Sequence, residues 1–364
     1  MAVGFSAHVL LALLLSFIAT AHAGPCAEPR VRREWRSISE TEREEWVAAV
    51  KCLNKIPHKP TLKPTFDVSV TQIPPINPNT SYFDDFAYVH MDLNPLIHFT
   101  GLFLPWHRAY LNDFEHALRS ECNYKGAHPY WDWTLGHANF PDATIFDDSP
   151  TSGFGGWGNP ANDYQITTGA FADNFEVAYP VPHTIRRNYT AKSTSTDPFG
   201  DGTPPAPDAF WNYFTRESQE TLVSGYIGDF VGFQTKLEGP VGSHAAIHLI
   251  MGGDMSGSCP RGLVAPDCYR GPKWTPNDPL FMMHHAMIDK IWYEWQNAHA
   301  ENFWAFGGGS VTAHSQPGLY QQYPAGGPPF LTFNQSMPTD GILQDATIYQ
   351  VMDTKNEQLC YVYE

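Results

Sequence analysis

The chain has 364 residues, enough for one large domain or two small ones. Its formal net charge of −16 repels phosphate backbones, which argues against nucleic acid as a partner. With 42% hydrophobic and 14% aromatic residues, the chain is too apolar for a disordered protein, so we expect a folded core.

The N-terminal segment 1–23 carries no charged side chain and contains the apolar run VLLALLLSFI, followed by AHA. The run is too short to span a bilayer, but it suits a secretory signal that is cleaved after Ala23. No later apolar run approaches the roughly 18 residues of a membrane span. We therefore predict a signal peptide at 1–23, a single domain over 24–364, a secreted protein and no membrane partner.

The cysteines favour disulfide bonds in an exported protein, because they are even in number and contain no C-x-x-C pair. Only Cys259 and Cys268, which would close one short loop, are predicted as a specific pair. The six cysteines are Cys26, Cys52, Cys122, Cys259, Cys268 and Cys360, and three N-x-S/T sequons offer glycosylation sites at Asn79, Asn188 and Asn334.

Helical patterns occupy four segments, which long stretches rich in glycine and proline separate. Capping-box spacing begins the first segment, a proline in the first turn begins the second, and Asn277 is the predicted cap of the fourth. The four segments are 39–54, 105–121, 241–251 and 277–302, and the loop-rich stretches are about 140–210 and 305–340. We therefore predict a mainly α fold, in which a four-helix bundle core is surrounded by extensive loops and short strands.

Sixteen histidines are many for this length, and several form two triads on or beside the predicted helices. An H-x-x-x-H pair places both rings on one face of a helix. Neighbouring helical residues point about 100° apart, so only one of the adjacent His284 and His285 can join such a pair. The triads are His90, His98 and His107, and His244, His248 and either His284 or His285. Two such triads predict a binuclear metal site.

The donor set selects among metals. Ala245 stands where the zinc-protease motif H-E-x-x-H requires glutamate, and the Glu-x-x-His motif of di-iron bundles does not occur. Imidazole donors without a carboxylate or thiolate favour copper, which also heads the divalent affinity order. Copper that cycles between two oxidation states points to oxygen chemistry.

Several stretches resemble the landmarks of the tyrosinases and catechol oxidases, the type-3 copper polyphenol oxidases. They are FLPWHRAYL at 103–111, PYWDW at 129–133, HAAIH at 244–248 and NDPLFMMHHAMID at 277–289. RREWRS near the N-terminus and YVY at 361–363 resemble the start and end of that catalytic core. The resemblance implies one catalytic domain over 24–364 that uses two copper ions, with O2 as co-substrate.

Carried over by position, the resemblance also implies the ligands and their supports. His285 is the implied ligand rather than His284, because it precedes Asp289 by four residues as in the family pattern. His284 would line the pocket or form hydrogen bonds in the core, while Asp289 would accept from His285 or pair with Arg108. The implied ligands are His90, His98 and His107 for the first copper and His244, His248 and His285 for the second, with Phe103, Trp106 and Phe281 packed around them.

The resemblance implies that small phenols are the substrates and that catechols are oxidised to o-quinones. In relatives that hydroxylate monophenols strongly, the residue after the first histidine of the second copper is often asparagine, which holds a water together with a nearby glutamate. Here that residue is Ala245, and Glu238 is the candidate acid, with Gln234 as an alternative. We therefore predict a catechol oxidase with weak or restricted monophenol hydroxylation. The alternatives are a full tyrosinase, a haemocyanin-like oxygen-binding protein, and a protein whose histidines are only structural.

Two departures from the family pattern shape these expectations. Leu96 stands where some relatives carry a cysteine joined to a copper ligand by a thioether, so we expect no thioether here. The sequence ends just after YVY, so we expect no C-terminal domain that plugs the pocket. The segment 251–268, which follows the second-copper histidines, is predicted to line the mouth of the site.

Overall fold

The computed structural model describes residues 26–190, 210–239 and 242–364. Within these ranges the chain is mainly helical, and its regular β structure consists of three two-stranded sheets. The predicted mainly α fold is therefore confirmed. No helix in the described ranges combines the length and the apolar character needed to cross a bilayer. The predicted signal segment 1–23 lies outside the described residues.

The regular elements have the following bounds. The α-helices are α1 Glu40–Leu53, α2 Val68–Thr71, α3 Tyr82–Ile97, α4 Phe103–Cys122, α5 Phe210–Tyr213, α6 Arg216–Ser224, α7 Phe230–Glu238, α8 Ser243–Met251, α9 Leu280–Ala298, α10 Ala300–Phe303 and α11 Leu319–Gln322. The strands are β1 Arg30–Arg32, β2 Glu176–Val177, β3 His183–Thr184, β4 Gly309–Val311, β5 Gly327–Phe330 and β6 Tyr361–Tyr363. Strands β1 and β6 pair in parallel, whereas the other two pairs are antiparallel.

The four predicted helices are present as α1, α4, α8 and α9. Ser39 caps α1 in the expected capping box, in which Ser39 and Glu42 bond each other's backbone N–H. Helix α9 begins at Leu280, later than predicted, and Asn277 is not its cap. The side chain of Asp278 instead accepts the N–H of Leu280 at 3.0 Å.

Helix α3, which carries His90 in its interior, was not predicted from the sequence. Nearly all of its side chains are buried, so the segment lacks the alternation of apolar and polar faces that identifies a helix at the surface. The signal that remained was local, because Ser81 and Asp84 form a capping box at its start. The helices that surround the histidines are therefore α3, α4, α8 and α9.

All six cysteines are paired. The predicted pair Cys259–Cys268 is confirmed. Of the other two bonds, Cys52–Cys122 joins α1 to the end of α4. The bond Cys26–Cys360 joins the segments next to β1 and β6.

The carboxylate of Asp289 on α9 is buried and gathers four donors. Its Oδ1 accepts from Nε of Arg108 at 2.6 Å. Its Oδ2 accepts from the hydroxyls of Tyr361 and Tyr363 at 2.5 and 2.7 Å, and from Arg32 at 3.5 Å. Burial alone would raise the pKa of Asp289, but the two guanidinium charges and the hydroxyl bonds outweigh it and lower the pKa. One carboxylate thus joins α4, α9, β1 and β6.

The guanidinium of Arg108 is fully buried, and several groups besides Asp289 hold it. Its Nη1 donates to the side chain of Gln296 and to the main-chain carbonyls of Val351 and Met352, at 2.9 to 3.1 Å. It also lies 3.5 Å above the ring of Trp292. The position of α4 against α9 is therefore set by a charge held through Nε and Nη1, while Nη2 has no hydrogen-bond partner among the described residues.

Replacing Asp289 by alanine should leave the buried guanidinium of Arg108 without the carboxylate that it pairs with. Because an unpaired buried charge costs roughly 3–5 kcal/mol, we expect the free energy of unfolding of Asp289→Ala to fall by about that amount. Urea denaturation of the copper-free protein measures it. Tyr363→Phe removes one neutral donor from the same carboxylate and should cost only about 1 kcal/mol. Equal losses in the two variants would contradict this account.

Candidate metal centre

The structure brings the predicted histidines together from four helices. His90 lies within α3, His98 directly follows that helix, and His107 lies in the second turn of α4. Their ligand-type nitrogen atoms lie within 4.8 Å of one another, and all three residues are buried. A second buried group with the same spacing comes from α8 and α9 and consists of His244, His248, His284 and His285.

The two groups face each other across a short gap. The rings of His107 and His285 stack with their centroids 4.5 Å apart and their planes at 19°. The rings of His98 and His244 are nearly parallel, at 6.1 Å and 23°. The two groups therefore form one cluster of imidazoles, as a binuclear site requires.

Main-chain carbonyls hold most of these rings through Nδ1. The Nδ1 atom of His90 lies 2.7 Å from the carbonyl of Lys273, and that of His107 lies 2.7 Å from the carbonyl of its own helix at Phe103. The Nδ1 atom of His248 lies 2.8 Å from a carbonyl in the segment after α8. Because a carbonyl can only accept, Nδ1 carries the proton and the lone pair resides on Nε2.

Three of these lone pairs have no partner among the described residues. The Nε2 atoms of His90, His107 and His244 are buried without a hydrogen bond to any described residue. The Nε2 atoms of His248 and His285 point at each other at 3.3 Å. A buried polar atom without a partner costs about 1–3 kcal/mol, which a bound cation recovers. The donor set therefore fits a pair of copper ions, which bind through unprotonated imidazole nitrogen.

The environment also keeps these rings neutral. Burial lowers the pKa of each of the seven, and neighbouring histidines lower it further in all of them except His248. The pKa of His98 falls to about 3 and that of His248 to about 4. At neutral pH their lone pairs are consequently available to a metal ion.

His284 differs from its neighbour because both of its nitrogen atoms are used. The indole N–H of Trp133 donates to Nδ1 at 3.3 Å, and Nε2 donates to the main-chain carbonyl of His244 at 3.2 Å. Of the two roles considered for His284, the contacts match a hydrogen bond in the core. Asp289 bonds Arg108 rather than His285, whose Nδ1 has no partner among the described residues.

Aromatic rings enclose the cluster as expected. Phe281 stacks on His285 with the centroids 4.0 Å apart. The ring of Phe103 packs edge-on against His244, with the centroids 4.7 Å apart. The ring of Trp106 packs against that of His107, with the centroids 5.0 Å apart. All three aromatic residues are fully buried, so they exclude water from the back of the site.

The site opens on one side only slightly. His98 and His244 are each 6% exposed, more than the other four candidate ligands, which are at most 3% exposed. Glu238, the last residue of α7, lies beside this opening, because its main-chain carbonyl is 3.3 Å from Nδ1 of His244. Ala245, also buried, follows His244 on α8. The most exposed part of the histidine cluster is therefore the gap between His98 and His244.

The carboxyl group of Glu238 already has two donors. Its Oε1 accepts the backbone N–H of Phe99 at 2.6 Å, and its Oε2 accepts from the side chain of Gln234 at 3.3 Å. Burial raises the pKa of Glu238 well above its ordinary value, although these bonds act in the opposite direction. The sequence had placed both residues near the second copper without indicating that they bond each other.

Sequence reasoning missed the carbonyls that orient the rings, because any residue type supplies a carbonyl. The one beyond α8 belongs to Met255, whose neighbour Asp254 fixes the segment. Asp254 accepts from Nε2 of His183 at 2.9 Å and from the backbone of Arg186 at 2.8 Å. Leu96 has no sulfur atom, and all six cysteines are paired in disulfides.

The adjacent histidines of α9 offer a matched pair of variants. We expect His285→Asn to lose the copper of the second group, because it removes an imidazole whose Nε2 faces the gap. His284→Asn should retain both coppers, because both of its nitrogen atoms bond protein groups. Metal analysis of each variant after copper loading and dialysis measures this. Loss of copper in His284→Asn alone would contradict the assignment.

Comparisons with known proteins agree with the geometry. The family model described as the common central domain of tyrosinase matches residues 80–298, more than half of the chain. The tyrosinase ustQ of Aspergillus flavus is 30% identical over 345 residues, which cover 93% of this chain and 80% of the relative. A tyrosinase-like protein of Diaporthe leptostromiformis is 29% identical over 376 residues, with 93% and 81% covered.

A solved structure shows the same fold. A variant of the polyphenol oxidase from Thermothelomyces thermophila superposes with a TM-score of 0.67 at 25% identity, covering 92% of this chain and 89% of that one. Its fold, the family match and the two histidine groups lead to one conclusion. The chain belongs to the tyrosinase family, whose members carry a type-3 pair of copper ions and use O2.

Proposed function

We propose that this protein is a secreted polyphenol oxidase that oxidises catechols to o-quinones with O2. It hydroxylates monophenols weakly or only for some substrates. The family membership supports the reaction class. The observation that carries the finer proposal is the methyl side chain of Ala245, next to the candidate ligand His244.

The ligands in this proposal are His90, His98 and His107 for one copper and His244, His248 and His285 for the other. When bound, the copper pair supplies a binding site for O2 and accepts the electrons of the phenol. The protein contributes neutral imidazoles, fixed by carbonyls on one side and by aromatic rings at the back. Each catechol that becomes an o-quinone gives up two electrons and two protons, so two catechols together reduce one O2 to two molecules of water.

Monophenols require an additional step, because their single hydroxyl must lose its proton at the site before oxygen is added. An asparagine at position 245 could share a water with Glu238, but a methyl group cannot hold one. The carboxyl of Glu238 also accepts from Phe99 and Gln234, so fewer of its lone pairs face a water. These contacts support slow proton removal and hence a preference for catechols.

Export is supported by the cysteines, all of which form disulfides, since such bonds persist in oxidising compartments. Of the three sequons, Asn79 and Asn334 are exposed and Asn188 is partly buried. We propose cleavage of segment 1–23 and a single catalytic domain over 24–364. The names of the tyrosinase relatives favour a full tyrosinase as the second candidate.

Oxygen uptake by the copper-loaded protein on 4-methylcatechol and on p-cresol tests the proposal. We expect rapid uptake with the catechol and little with the monophenol. Ala245→Asn should raise the ratio of monophenol to catechol rates about tenfold or more, because a positioned base contributes roughly 10²–10⁴-fold.

Ala245→Leu is the matched control, because leucine has the same number and branching of side-chain heavy atoms as asparagine but no hydrogen-bonding group. It should not raise the ratio of rates. Comparable rates on both substrates in the unmodified protein would instead identify a full tyrosinase. The absence of catechol turnover by a fully loaded protein would favour the oxygen-binding alternative.

A further inference from the structure

The corner between α3 and α4, residues 98–101, has an unfavourable backbone. Phe99 has φ +53°, a left-handed conformation in which a Cβ atom is crowded. Such a residue persists when its surroundings hold it. The N–H of Phe99 donates to Glu238 at 2.6 Å, and its carbonyl accepts from the N–H of Ala313 at 2.9 Å. Side-chain and main-chain bonds from distant elements thus hold this corner in place.

Gln234, one helical turn before Glu238, reinforces the same corner. Its side-chain amide donates to the carbonyl of Thr100 at 2.8 Å and to Oε2 of Glu238 at 3.3 Å. Both residues are buried, so water competes little for these bonds. Helix α7 therefore holds two peptide groups of the corner, the one between His98 and Phe99 through an acceptor and the one between Thr100 and Gly101 through a donor.

The ring of His98 depends on this corner more than the other rings of its group do. Its Nδ1 lies 3.2 Å from the side-chain nitrogen of Asn94 and 3.4 Å from the carbonyl of the same residue, both long contacts, whereas Nδ1 of His90 and of His107 lies 2.7 Å from a carbonyl. His98 also lies past the end of α3, so no helical hydrogen-bond pattern continues through it. Its position therefore depends on these long contacts with Asn94 and on the backbone of Phe99.

Glu238 contacts the second group as well. Its carbonyl lies 3.3 Å from Nδ1 of His244, while its side chain holds the residue after His98. These two histidines face each other across the opening, with ring centroids 6.1 Å apart. Glu238 therefore supports one ring of each group, on the more exposed side of the cluster.

We propose that Glu238 is a positioning residue for the copper pair, whose carboxyl fixes His98 through Phe99 and whose carbonyl fixes His244. This inference rests on the proposed ligand set and gives Glu238 a role that is independent of holding a water. The role requires an oxygen acceptor in the side chain rather than a negative charge. Supports of this kind typically change metal affinity by about 10–100-fold.

Two substitutions separate the acceptor from the charge. Glu238→Gln keeps a side-chain oxygen for the N–H of Phe99, whereas Glu238→Leu removes it, and both keep the main-chain carbonyl. Chelator competition on the copper-loaded protein measures the affinity of each copper. We expect Glu238→Leu to release one copper at a chelator concentration about 10–100-fold lower than the unmodified protein requires. The copper affinity of Glu238→Gln should stay near that of the unmodified protein.

Electron paramagnetic resonance provides a second measurement that does not depend on activity. An isolated Cu(II) ion gives a signal, whereas a spin-coupled pair does not. Partially depleted Glu238→Leu should therefore show a mononuclear signal from the copper that remains at the second group. Gln234→Leu, which leaves the carboxyl in place but removes its donor, should show a smaller loss of affinity in the same direction.

Asp113→Leu is the matched control for the loss of a buried acid. Asp113 lies on α4 and accepts the backbone N–H of Gln344 at 3.0 Å, so its replacement should lower stability without changing copper affinity. Unmodified affinity in Glu238→Leu, or equal losses in Glu238→Gln and Glu238→Leu, would overturn the proposal. A failure of the unmodified protein to bind two coppers would instead overturn the ligand assignment.

Discussion

The buried ion pair between Asp289 on α9 and Arg108 on α4 holds these two helices against each other. Arg108 follows His107, and Asp289 lies one turn beyond His285, so the pair fixes the two helices where their rings stack at 4.5 Å. Apolar packing tolerates small shifts of one helix along another when side chains repack. A buried ion pair does not, because a shift that separates it leaves both charges unpaired in a medium of low dielectric constant. Electrostatics therefore fixes the register of α4 and α9.

The histidine cluster imposes the opposite demand, since the fold must bury lone pairs that have no protein partner. This arrangement is unfavourable for the metal-free chain, and binding of copper compensates for it, so metal binding and stability are linked. The outer atoms of the rings reduce the cost, because carbonyls such as those of Lys273 and Met255 accept from Nδ1. Protein groups on the outer side of these rings thus contribute to their orientation alongside the metal.

The sequence predicted what is encoded locally. Capping residues and apolar spacing identified α1, α4, α8 and α9, and the H-x-x-x-H spacing identified His244 and His248. Helix α3 was not predicted, because burial on all sides removes the alternation of apolar and polar faces by which a helix is recognised in a sequence. The hydrogen bond between Glu238 and Phe99 was not predicted, because the two residues are 139 positions apart and no sequence motif indicates the contact. The carbonyl acceptors could not be predicted, because every residue has a main-chain carbonyl and the sequence does not show which of them meets a ring.

The hydroxyls that complete the Asp289 site come from β6, beyond every candidate ligand in the sequence. During synthesis from the N-terminus, all six candidate histidines therefore emerge before Tyr361 and Tyr363 do. The parallel pairing of β1 with β6 likewise joins the first described strand to the last. The two hydroxyl donors to Asp289 are therefore the last part of this site to be synthesised.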